Sequence, residues 1–135
     1  MDDAQSWTQF YRDGRAFERT ARGAVHRPQV FTPEIIQNLV AMAIEKYFMA
    51  ICLKRGQLPD NHTMTDLLDA MKGKMVIPDE TQNTLLYMDQ LQQICSVELF
   101  HIEKPKSEDV PRFMEALTVV STLTQQELAN EIDHS

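Results

Sequence analysis

Apolar residues recur along this chain at intervals of three and four, and no stretch alternates strictly between apolar and polar. That period belongs to amphipathic helices, so strands are not expected. The Thr118-Val119-Val120-Ser121-Thr122 run is β-prone, but it lies in a window of helical spacing and is read as helix. Proline and glycine mark the boundaries. Neither residue occurs in Glu34–Arg55, Asp79–Lys104 or Arg112–Ser135, and each interval is long enough for a helix.

The spacing predicts five helices. The first runs from about Ala4 to Arg22 and carries Trp7, Phe10, Gly14, Phe17 and Ala21 on one stripe, with Ala24 just beyond. The second starts after Thr32, a good N-cap, with Pro33 at the first helical position, and ends near Arg55 with Gly56 in the C′ place. Ile35, Ile36, Leu39, Val40, Met42, Ala43, Tyr47, Phe48, Ile51 and Leu53 cover most of its circumference, so it should be the central helix. A short third helix runs from Thr63 to about Lys72, where Thr63 and Asp66 have capping-box spacing and Gly73 closes it. The fourth runs from about Asp79 to His101, with Leu85, Met88, Leu91, Cys95 and Leu99 on one stripe. The fifth begins near Pro111 and carries Phe113, Leu117, Val120 and Leu128. A break is expected near Thr124, where Thr124 and Glu127 repeat the capping-box spacing. Short connections favour antiparallel neighbours, so the expected architecture is an all-α, up-and-down bundle of about five helices.

Composition narrows the function classes. The 135 residues fit one domain, 1–135, with no internal repeat and no long linker. A formal charge of −7 argues against a general nucleic-acid coat or a polybasic membrane binder, while leaving room for a local basic patch. The acidic start, Met1-Asp2-Asp3-Ala4, is not a signal peptide. Glu45 and Lys46 interrupt the most apolar stretch, Ile35 to Leu53, so no membrane span is expected. Cytoplasmic localisation follows as an expectation. Cys52 and Cys95 lie in apolar helices and read as small core residues. No spacing suits a metal site, no phosphate loop or dinucleotide fingerprint is present, and no cofactor is expected.

Charge is nevertheless uneven. Residues 78–135 hold three basic residues and eleven acids, whereas all five basic residues before position 30 are arginine. Arg12, Arg15, Arg19 and Arg22 are spaced 3, 4 and 3, on one side of the first helix. At about 100° per residue this stripe lies roughly 140° from the apolar one and should face solvent. The planar guanidinium fork suits phosphates and carboxylates. A phosphate or nucleotide surface is one reading; a solvated face paired with the acidic helices is the other. The carboxylate of Glu45, if buried, would need an arginine of the first helix as partner.

The segment Ala43-Ile44-Glu45-Lys46, followed by Ala50 and Leu53, Arg55-Gly56, Pro59, His62 and Asp66-Leu67-Leu68, resembles the HEPN (higher-eukaryote and prokaryote nucleotide-binding) family. In that family a helix with an Ala-x-Glu-Lys core precedes a Gly/Pro/His loop and a short helix opening on Asp-Leu. The likeness is closest over residues 43–71. It implies a helical bundle, often a homodimer. Members range from nucleotide binders to endoribonucleases of toxin–antitoxin pairs and non-catalytic partners of nucleotidyltransferases. Ribonuclease members carry an arginine and a histidine separated by four to six residues. Arg19 with His26 and Arg55 with His62 have that spacing, but neither stands near the later helices, where the family places the pair. His101 has no arginine at the right distance before it.

The leading expectation is therefore a non-catalytic binding module for a nucleotide, RNA or protein partner. Its candidate phosphate ligands are Arg12, Arg15, Arg19, Arg22, Arg55 and His62. The alternative is a metal-independent endoribonuclease using Arg55 and His62, with histidine as general acid/base and arginine stabilising the phosphorane charge. A third reading is a purely structural or protein-interaction bundle.

Overall fold

A computed structural model describes residues 6–57, 59, 63–97 and 104–133, and the side chains of all of these except 92–97 and 130–133. The described residues form α1 (Trp7–Ala24), α2 (Pro33–Lys54), α3 (Met64–Met71), α4 (Asp79–Val97) and α5 (Val110–Asp133), with a single 3-10 turn at Ser107–Asp109 before α5. The all-α bundle expected from the periodicity is the fold observed.

The boundaries follow local backbone rules. Thr32 Oγ1 accepts from Ile35 N at 3.2 Å, and Pro33 sits in the first turn, where its missing N–H removes no helical bond. Gly56 follows the Arg55 C-cap at φ +73, a left-handed conformation that side chains with a Cβ resist. Thr63 Oγ1 accepts from Asp66 N at 3.1 Å to start α3, and Gly73 ends that turn at φ +82. A second acid from another helix also caps α3. Asp89 of α4 is buried and accepts from Thr65 N at 3.2 Å and Thr65 Oγ1 at 2.7 Å. A carboxylate there satisfies donors that α3 cannot pair internally and opposes the positive end of its dipole.

α2 is the central helix. Eleven of its residues are buried, among them Val40, Ile44, Tyr47, Phe48 and Ile51. It is long and apolar enough to span a bilayer by length and composition, but most of that apolar window is buried inside the bundle. α1 lies antiparallel to it: Gly14 meets Tyr47 in mid-helix, and Lys54 Nζ stands 4.5 Å over the Trp7 ring at the end. α5 runs parallel to α2, since the two helices share a cleft at their starts and an Arg55–Glu127 ion pair near their ends. α4 is antiparallel to α5. Arg112 Nε donates to Thr84 Oγ1 at 3.1 Å, and Tyr87 Oη donates to Asp109 Oδ2 at 3.1 Å. Gln37 Nε2 ties α2 to α4 by donating to the Met88 carbonyl at 3.2 Å. The long helices thus alternate in direction, with α3 inserted between α2 and α4.

One expectation needs correction. α5 is continuous and does not break at Thr124. Thr124 is fully buried, and its Oγ1 has no hydrogen-bond partner among the described residues. Leu117, Val120 and Leu128 of the same helix are buried in the core, and that continuous apolar face outweighs a local capping preference. Glu45 lies on the narrow polar seam expected of a mostly buried helix, and the buried acid of α1 is Glu18. Glu18 is 9% exposed, whereas Glu45 is half-buried. The last residues of the predicted fourth helix, 98–101, lie outside the described residues.

The α1–α2 contact depends on a missing side chain. A Cβ at Gly14 would lie 2.8 Å from two carbons of the Tyr47 ring and 3.3 Å from the Ala43 carbonyl oxygen. A Cβ at Gly23 would meet nothing within 4 Å. Gly14→Ala should therefore destabilise the protein by about 1–3 kcal/mol through overpacking. Gly23→Ala should stabilise it by about 0.5–1 kcal/mol through helix propensity. Chemical denaturation of both variants measures the opposite signs.

Candidate functional site

The arginine stripe divides in the folded protein. Arg12, Arg15 and Arg19 are exposed on α1, and none forms an ion pair among the described residues. Arg22, at the end of the stripe, is exposed too, but its guanidinium is engaged. Its Nε and Nη2 donate to Glu18 Oε2 at 2.9 and 2.6 Å, and Nη2 also donates to Thr118 Oγ1 of α5 at 3.0 Å. All four arginines of the stripe are exposed, and Arg22 differs only in bonding to Glu18 and Thr118. Arg55 is the C-cap of α2 and pairs with Glu127 of α5, so it closes one end of the bundle. His62, its proposed catalytic partner, lies outside the described residues, as do His101 and His134.

Arg22 belongs to a buried network. Tyr47 Oη donates to Glu18 Oε1 at 2.5 Å, and the tyrosine is fully buried. Burial opposes the charged form of Glu18. Hydrogen bonds from Tyr47, Arg22 and Ser121, with the Arg22 charge, outweigh it and hold the carboxyl below its ordinary range. Burial and the hydrogen bond to Glu18 push the Tyr47 hydroxyl well above its ordinary value, with Arg15 a weak opposing charge. One carboxylate thereby links α1 to α2 and α5. The chain signals this position: Glu18 lies four residues after Gly14 and three before Ala21, on the apolar stripe itself.

Two depressions flank the network along α1. At the start of the helix, Trp7, Tyr11 and Arg12 face Gln125 and Leu128 of α5 across a groove of about 540 Å³. At its end lies a cleft of about 600 Å³. Arg22, Val25 and His26 from the end of α1 line it, with Pro28 and Phe31 from the connection and Pro33 and Ile36 from the start of α2. Ser107, Val110, Pro111 and Met114 complete the wall. The connection is itself a bonded turn, with Phe31 N donating to the Arg27 carbonyl at 2.9 Å. Sequence reasoning missed this cleft because its walls come from segments more than 70 residues apart in the chain. The described residues contain no group of three or more His, Cys, Asp or Glu that could hold a metal.

The network makes stability depend on pH. A carboxyl held below its unfolded value stabilises the fold fully above that value, about 4.3. The contribution is lost as pH falls through the folded value. Glu18→Gln should reduce stability at pH 7 and flatten its decline below about pH 4.5. Tyr47→Phe removes the short bond to Glu18 and should cost about 1–3 kcal/mol. Denaturation midpoints from pH 3 to 7 test both outcomes.

No family model, curated protein or solved structure matches the chain.

Proposed function

We propose that this protein is a non-catalytic, HEPN-like binding module that holds the phosphates of a nucleotide or of RNA on the outer face of α1. The observation that supports this reading is the state of Arg12, Arg15 and Arg19. These three guanidinium groups lie exposed along about two turns of one helix, and no carboxylate among the described residues neutralises them. An arginine stripe that served only to pair with the acidic helices would be consumed by them, as Arg55 is by Glu127. The neighbouring face of α5 offers the exposed residues Thr118, Thr122 and Gln125, which bring hydrogen-bonding capacity without negative charge. Trp7 and Tyr11 beside Arg12 add aromatic surface suited to a base.

The ribonuclease reading draws no support from Arg55, whose guanidinium is engaged by Glu127. The homodimer belongs to the proposed reading. Ile35 and Met42 are both 42% exposed and lie seven residues apart on one face of α2. The shallow depression containing Met42 also carries Asp13 and Lys46, opposite charges that a two-fold axis can bring together.

A thermal-shift series with AMP, ATP and a short single-stranded RNA tests the binding reading. At least one ligand should raise the melting temperature by mass action. The Arg15→Glu/Arg19→Glu variant should lose that rise while keeping its own Tm within a few degrees. In a binding titration it should also show a shallower dependence on salt. A shift unchanged in the variant would remove the arginine face as the site.

Sedimentation measures the dimer. Met42→Glu places a charge on the exposed strip and should yield monomers at concentrations where the parent protein is dimeric. Identical masses for the two proteins would place self-association elsewhere.

A further inference from the structure

We infer that the cleft at the junction of α1, α2 and α5 is a binding site for a small amphipathic monoanion, a carboxylic acid with an apolar body. The inference is independent of the arginine face, since it rests on a different set of side chains.

Size comes first. The cleft is about 600 Å³, within the range of pockets that enclose small organic ligands. Its floor and walls are mostly hydrocarbon, with Val25, Phe31, Ile36, Val110 and Met114 among them. Three prolines, Pro28, Pro33 and Pro111, stiffen the walls. A wall that is already fixed loses little conformational freedom when a ligand enters.

Charge then selects the head group. Among the described residues, the only titratable ones lining the cleft are Arg22 and His26, both bases, and Ser107 adds one hydroxyl. The nearby acids do not contribute to the lining. Glu34, in the first turn of α2, and Glu108 are exposed and absent from the lining, and Asp109 accepts from Lys106 N at 2.9 Å and from Tyr87 Oη at 3.1 Å. The first turns of the parallel helices α2 and α5 both border the cleft, so the positive ends of two dipoles face the same space. Glu18 already offsets the Arg22 charge, leaving a field suited to a single anionic group and not to a polyphosphate. Nη1 of Arg22 has no hydrogen-bond partner among the described residues, and the side chain is 44% exposed. It can therefore donate to a carboxylate without breaking the bonds to Glu18 and Thr118.

The methionines provide the readout. Met114 lines the cleft, whereas Met49 and Met88 are buried in the core and absent from its lining. Protein carrying carbon-13 methionine methyl groups is titrated with decanoate, decanol and decyltrimethylammonium, each below its micellar concentration. Decanoate should move the Met114 methyl resonance saturably while Met49 and Met88 stay in place, and should bind at least 10-fold more tightly than the alcohol or the cation. His26→Glu changes an exposed residue, so the fold is kept. It should weaken decanoate at least 10-fold and leave decanol unchanged. An unmoved Met114 resonance would overturn the site. Equal affinity for decanoate and decanol, or decanoate binding unaffected by His26→Glu, would overturn the anionic head group.

Discussion

Tyr47 is held by α1 in two ways, and the rest of the bundle is arranged around that hold. Its ring lies against the bare backbone of Gly14, and its hydroxyl donates to Glu18 one helical turn further along. The first contact sets how closely α1 approaches α2. The second fixes the register between them, because the short bond is made at only one axial offset. Glu18 then accepts from Arg22, and Arg22 reaches Thr118 on α5. A buried carboxylate is costly alone and tolerable when its lone pairs are filled. The network meets that requirement with groups from all three helices, so the carboxylate orients the packing as well as surviving it.

That arrangement also determines which of the exposed cations is paired. Arg22 is engaged because Glu18 lies four residues before it. Arg12, Arg15 and Arg19 form no ion pair among the described residues. The polar network therefore marks a division along α1. On one side is a cationic, aromatic-edged surface. On the other is an apolar cleft whose basic groups are partly offset. The two surfaces, one cationic and one apolar, thus lie on the same helix.

Much of the fold was legible in the chain because its punctuation is local. Thr32-Pro33, Gly56, Thr63 and Gly73 each act through their own backbone conformation, and each stands where the sequence places it. Thr124 shows the limit of that logic. Its spacing to Glu127 favours a helix start, but the apolar face of α5 runs through it, and tertiary burial prevails over a local cap. Glu18 shows another limit. The chain reveals an acid on an apolar stripe, but not that a tyrosine 29 residues later will satisfy it. The cleft was the least legible feature, because no single segment carries its pattern. It exists only once α2 and α5 run parallel and bring their first turns together.

The apolar character of α2 has a consequence for the newly made chain. As it leaves the ribosome, this helix is long and apolar enough, by length and composition, to cross a bilayer. Its most extensive packing partner, α1, is the helix synthesised immediately before it. The two are joined by an eight-residue connection with its own turn hydrogen bonds. The cover for the most exposed hydrophobic surface is thus available before that surface is complete, and the hairpin can close while the C-terminal half is still being translated. The order of helices along the gene places the protector ahead of the segment it protects.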